Sequence, residues 1–194
     1  MTSREQILAA VKTNQPALVP LPSLDVFGSS DVPDVERYIN TLQGIGGKVI
    51  RIKDASELSE AIKAEFASAT RIISTIESLP LSTETGWQAI APHELETVDL
   101  AIIKAQFGVA ENGSVWVTED DVQVRVLPFI CENLAAVLSA KNILNTMHQA
   151  YDLIVGANYG FGVFIAGPSK TADIEQSLVL GAHGPKTMTI FLID

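Results

Sequence analysis

Thr97-Val98-Asp99-Leu100-Ala101-Ile102-Ile103-Lys104 is the stretch whose reading decides the fold. Its centre is apolar at consecutive positions, so a strand over these residues has no face to give to water. Strands buried on both faces belong to α/β sheets with helices laid over them. The same grammar extends outward. Arg71-Ile72-Ile73-Ser74 and Lys48-Val49-Ile50-Arg51-Ile52 read as strands upstream, and Leu134 to Ser139, Val163 to Ala166 and Met188 to Ile193 as strands downstream. Asp34 to Gly44 and residues 55 to 66 carry apolar side chains at helical spacing and read as the covering helices. Ser114 to Thr118 and Val122 to Val126, joined by Glu119-Asp120-Asp121, read as a hairpin; Ile143 to Tyr151 and Ile174 to Leu180 read as helices. The expected fold is a three-layer α/β domain with a mostly parallel sheet and a small antiparallel hairpin insertion at 114–126. Residues 1–33, an amphipathic helix and an arm holding Pro16, Pro20, Pro22 and Pro33, precede this domain at 34–194.

Composition narrows the function classes. The 194 residues carry a formal charge of −10 and no cluster of Lys or Arg. A nucleic-acid surface needs a basic stripe to release counterions, and anionic membranes are disfavoured on the same ground. No apolar run approaches the ~20 residues of a membrane span. The start of the chain lacks the basic region, apolar run and small-residue cleavage site of a secretory signal, so a cytoplasmic location is expected. Apolar content of 47% and a mean hydropathy of +0.25 imply a large core or a buried subunit contact, with which a homodimer is compatible. Cys131 is alone, and one thiol forms neither an internal disulfide nor an iron–sulfur or zinc site, so a structural role is expected. The three histidines show no metal-ligand spacing, and no metal or cofactor is expected on this chain by itself.

Three segments have the chemistry of a site. Phe161 to Glu175, closed by Gly181-Ala182-His183-Gly184-Pro185, reads as a strand, a Gly-Pro turn at Gly167, a short helix opened by Ser169, Thr171 and Asp173, and a Gly-rich exit. A helix opening there would offer its N–H groups to a carboxylate or phosphate. The alternative is plain capping by the same Ser, Thr and Asp. His183 is the candidate proton-transfer group by its near-neutral titration, or else a helix C-terminal cap. Glu111-Asn112-Gly113 places a carboxylate on a turn before a strand, where it acts as a nucleophile, a ligand contact or a solvated turn residue. Lys104, ending the deciding strand, either neutralises a carboxylate or reaches water.

Gly167-Pro168-Ser169, Thr171-Ala172-Asp173-Ile174-Glu175 and Gly181-x-His183-Gly184-Pro185 together resemble the C-terminal signature of the LUD-domain family, the lactate-utilisation protein C proteins; Glu84-Thr85-Gly86-Trp87 and Glu111-Asn112-Gly113-Ser114 extend the likeness. The Glu111 turn is also similar to the Ser-Glu-Asn-Gly turn of CoA transferases, with Ala110 where those have serine. The resemblance implies a NagB/RpiA/CoA-transferase-like fold. It further implies an accessory or substrate-handling subunit of a system that oxidises L-lactate to pyruvate, whose cysteine-rich partner proteins carry the iron–sulfur clusters. A free-standing CoA-transferase-like enzyme acting through Glu111 on a small acyl-CoA or phosphorylated acid, and a non-catalytic interaction protein, are the alternatives. The site so implied contains Glu111 and His183 as catalytic groups, with Asn112, Gly113, Gly167, Ser169, Thr171 and Asp173 holding a small carboxylate or phosphate in a crevice at the carboxyl ends of the strands.

Overall fold

The computed structural model describes residues 2–20, 22–23, 32–172 and 178–194. Along the chain run α1 (Ser3–Thr13), α2 (Val35–Gly44), β1 (Lys48–Ile52), α3 (Leu58–Glu65), β2 (Ile72–Ser74), β3 (Leu100–Lys104), β4 (Phe107–Val109), β5 (Ser114–Thr118), α4 (Glu119–Val122), α5 (Leu127–Ile130), β6 (Asn133–Ser139), β7 (Ile143–Leu144), α6 (Met147–Ile154), β8 (Gly162–Ile165), β9 (Lys170–Ala172), β10 (Leu178–Leu180) and β11 (Thr187–Ile193). Five strands form one sheet in the order β1-β11-β6-β3-β2, every pairing parallel. The register sets Ile103 beside Ala136 and Ala136 beside Ile190.

The apolar run of β3 is divided between two packing faces. Leu100 and Ile102, with Ala135, Val137 and Phe191, meet Leu58 and Ile62 of α3. Ala101 and Ile103, with Leu134, Ala136, Leu138 and Ile190, meet Tyr38 and Leu42 of α2 and the inner residues Val115 and Val117 of a second sheet. Leu100, Ile102 and Ile103 are wholly buried, each contributing roughly 1.5–3 kcal/mol from apolar burial. The second sheet, in the order β7-β4-β5-β8, turns Phe107, Val109 and Trp116 outward against α6. No helix among the described residues is long and apolar enough to cross a membrane.

Two expectations are corrected. Val122 to Val126 is not a strand, and no hairpin is inserted at 114–126. Both sides of β5 are already paired, with β4 and β8. At its end the Asp121 carboxylate accepts from the backbone N–H and the hydroxyl of Thr118, both at 2.8 Å, which turns the chain into α4. The helix expected at Ile174 to Leu180 is also absent where it can be seen: Leu178–Leu180 is a strand, antiparallel to β9, while residues 173–177 lie outside the described residues. α6 begins four residues later than its apolar pattern suggests, because the Thr146 hydroxyl accepts from Gln149 N–H and the Gln149 side chain accepts from Thr146 N–H.

Candidate functional site

At the carboxyl ends of the parallel strands, where open α/β sheets hold their ligands, lies a cavity of about 580 Å³. Three of the strands that reach it turn polar there: β2 gives way to Thr75, β3 ends in Lys104 and β6 in Ser139, while β11 meets it with Ile193. α4 closes one wall with Asp120 and Asp121, and Asn142 stands at the far side.

The two acids differ in their freedom. Asp121 is tied: one of its oxygens accepts from Thr118 twice and from the Gln106 amide at 2.6 Å, and its carbonyl accepts from the Thr75 hydroxyl at 2.7 Å. Asp120 is exposed and makes no hydrogen bond among the described residues, and the Lys104 ammonium likewise has no ion pair among them. Among the described residues the cavity thus presents one unengaged cation, Lys104, and two unengaged carboxylates, Asp120 and Glu77, with the hydroxyls of Thr75, Ser78 and Ser139 also in its lining. Beside it the chain is strained. Gln123 has φ 60° and is the one non-glycine with positive φ among the described residues. Val124 N–H closes a three-residue turn on Val122 C=O at 2.6 Å, a conformation disfavoured for a residue with a Cβ. The Gln123 side chain holds it in place, donating to Thr75 C=O at 3.2 Å and accepting from Gln88 at 2.9 Å.

The residues expected to share one crevice are dispersed. None of Glu111, Ser169, Thr171 and His183 lines the carboxyl-end cavity, and Asp173 lies outside the described residues. Glu111 lines a separate cavity beside the N-termini of α2 and α6, where its carboxylate accepts from Met147 N–H at 2.8 Å and so caps α6. That cavity is edged by Val32. Asn112 folds the same turn, its side-chain oxygen accepting from Ser114 N–H at 3.1 Å and the Ser114 hydroxyl at 2.7 Å. Gly113 has φ 69° and approaches the α2 backbone so closely that a Cβ would lie 2.9 Å from Leu42 Cα.

The second group gathers at the opposite, amino ends of the central strands. Ser169 N–H donates to Pro185 C=O at 2.9 Å, and Gly181 N–H to Ser169 C=O at 3.0 Å. Gly167, at φ 73°, backs onto Ile45 C=O, and Thr171 pairs with Val179 in the β9–β10 hairpin. His183 is exposed on the turn before β11, lining a shallow cavity with Glu96, Glu132 and Lys186. The expected anion cradle rested on a helix N-terminus, and the described residues of the hairpin supply none.

Sequence reading singled out Lys104 but missed Thr75, Asp120, Ser139 and Asn142. The available signal was the polar residue terminating each apolar run. Cys131 is buried at the end of α5, and burial pushes its thiol up to about 12, which makes it an inert packing residue. Among the described residues no group of three or more His, Cys, Asp and Glu converges to hold a metal ion.

A covered parallel sheet with a polar crevice at its carboxyl ends defines a three-layer α/β protein. The LUD domain family matches residues 88–193, more than half of the chain, and the chain belongs to that family. It is similar to Lactate utilization protein C 1 of Bacillus mycoides, 32% identical over 105 residues, covering 51% of this chain and 45% of that one. It is also similar to Lactate utilization protein C of Bacillus subtilis, 30% identical over 106 residues, covering 51% and 44%. The chain thus spans about half the length of these relatives. An uncharacterized protein of Neisseria meningitidis serogroup B is 27% identical over an alignment covering 100% of this chain and 94% of that protein. The crystal structure of a DUF162 family protein from Deinococcus radiodurans superposes with a TM-score of 0.60 over 90% of this chain and 100% of that one, at 15% identity, which shows a shared fold.

Proposed function

We propose that this protein is a substrate-handling subunit of a lactate-oxidising system and that it holds a small 2-hydroxy acid in the carboxyl-end crevice. The observation that carries the reading is that Lys104, without an ion pair among the described residues, and Asp120, without a hydrogen bond among them, line one cavity. A 2-hydroxy acid needs a cation for its carboxylate and an acceptor for its hydroxyl hydrogen. A 2-oxo acid has only acceptors, which a second carboxylate repels. The arrangement therefore favours L-lactate over pyruvate, with Ser139 and Asn142 available to the remaining oxygens. The names of the Bacillus relatives support the choice of acid.

Electrons leaving lactate need a carrier, and the reading assigns it to iron–sulfur clusters in cysteine-rich partner proteins, the lone buried Cys131 being unsuited to hold one. Glu111 is assigned the part of a helix cap, since one of its carboxylate oxygens accepts from Met147 N–H at 2.8 Å. The amino-end cluster of Ser169 and His183 is left as a surface for those partners.

Anaerobic co-purification of the tagged chain from its native host, with iron analysis of the eluate, tests the assembly; recovery of the chain alone and iron-free would overturn it. Calorimetric titration with L-lactate and pyruvate tests the crevice. Lactate is expected to bind more tightly than pyruvate; Lys104→Ala should weaken both acids and Asp120→Asn should remove the preference, and lactate binding by Lys104→Ala equal to the parent's would refute the assignment.

A further inference from the structure

Next to the crevice, and sharing Asp120 and Asn142 with it, lies a second cavity of about 540 Å³. One wall is aromatic, and Asp120, Lys141, Asn142 and Asn158 make another part of the lining polar. Trp116 stands at the centre of a cluster, with Phe107 stacked at 6.2 Å, Phe164 tilted at 4.6 Å and Tyr159 edge-on at 5.5 Å. Trp116 is only 4% exposed, yet its indole N–H makes no hydrogen bond among the described residues. Tyr38 Oη is the one sealed unpartnered side-chain atom among the described residues, so the Trp116 N–H is open to solvent rather than enclosed in the core. A nearly buried indole normally finds an acceptor. At the mouth, Leu153 is 60% and Tyr159 38% exposed. Aromatic side chains, a few polar groups and a donor without a protein partner among the described residues, gathered around one concavity, are what a ligand pocket presents.

We infer that this chamber binds a planar, uncharged aromatic ring carrying a hydrogen-bond acceptor, of the nucleobase or quinone type. The ring lies against Tyr159 and Leu153 and accepts from Trp116. Gly162 permits this geometry, because a Cβ there would stand 2.4 Å from the Trp116 ring. A volume of this size is matched to a ring-bearing molecule. The two shared residues then place that ring beside whatever acid occupies the crevice. The inference does not depend on the identity of the acid.

The test is calorimetric titration of the full chain with adenosine and, separately, with a water-soluble naphthoquinone sulfonate, each repeated on three variants. Saturable binding of one probe is expected, and which probe binds decides between the nucleobase and quinone sources. Leu153→Arg, at an exposed position, should abolish it, and Trp116→Phe should weaken it about tenfold by removing one hydrogen bond. Lys104→Ala should leave it unchanged, which separates this site from the acid site. Binding of neither probe, or binding that Leu153→Arg leaves intact, overturns the inference.

Discussion

Replacing Gly113 by alanine asks whether the Glu111-Asn112-Gly113 turn is a packed structural element or an open ligand loop. Gly113 has φ 69°, and an added Cβ would meet Leu42 Cα and N at 2.9 Å, both backbone atoms of α2 that no side-chain rotation can move. The left-handed conformation costs an alanine about 1–2 kcal/mol, and forcing α2 outward adds roughly 1–3 kcal/mol, so the expected loss is about 3 kcal/mol. In a chain of this length that lowers Tm by ~6–12 °C. Gly86 and Gly156 supply the control. Their φ angles are 73° and 77°, yet nothing lies within 4 Å of a Cβ at either site. Gly86→Ala and Gly156→Ala therefore bear the conformational cost alone, about 1–2 kcal/mol, and the difference from Gly113→Ala isolates the contact with α2. Chemical denaturation of the three variants, read by circular dichroism, gives the numbers. Equal destabilisation of all three would refute the packing of this turn against α2, and with it the case that its residues are committed to structure.

Glu111→Ala removes the cap on Met147 N–H and should cost about 1 kcal/mol in the same assay, whereas Glu111→Gln keeps an acceptor and should leave lactate oxidation by the assembled system intact; loss of turnover in the glutamine variant would restore the nucleophile reading. The Cys131 thiol is held neutral well above its unfolded range, so the folded chain binds more protons than the unfolded one at alkaline pH. Its contribution is complete below about pH 8.5 and is lost as pH rises toward 12; Cys131→Ala should flatten that alkaline decline, and alkylation by iodoacetamide at pH 8 should require denaturant. Asp99 titrates low because the N–H of Arg71, then the hydroxyl and N–H of Thr70, donate to its carboxylate. Its contribution is present above the ordinary aspartate range and is lost as pH falls through the lowered value, so Asp99→Asn should be less acid-sensitive than the parent in pH-dependent denaturation. Gly162→Ala drives a methyl into Trp116 and should shift its fluorescence while destabilising the chain by roughly 1–3 kcal/mol.

What was legible in the sequence is what depends on neighbours along the chain. The consecutive apolar residues of β3 announced a strand with two buried faces, and the spacing of Tyr38 and Leu42 announced a helix with one. Those patterns are written in local order because burial acts on each side chain separately, and they determined a covered parallel sheet. Lys104 was recognisable for the same reason, as a charge ending an apolar run. What the tertiary structure alone decided is which strand ends meet. The pairing order β1-β11-β6-β3-β2 brings Thr75, Lys104 and Ser139 to one edge although 64 residues of sequence separate the first from the last. It sends Glu111 and His183 to separate cavities, although glycine-rich turns make them look alike in sequence. The failures follow the same division. Val122 to Val126 alternates like a strand, but strand formation needs an unpaired edge, and both edges of β5 were already taken by segments distant in sequence. Local order sets what each segment is able to bury; only the competition among segments for the same partners sets where its polar ends come to rest.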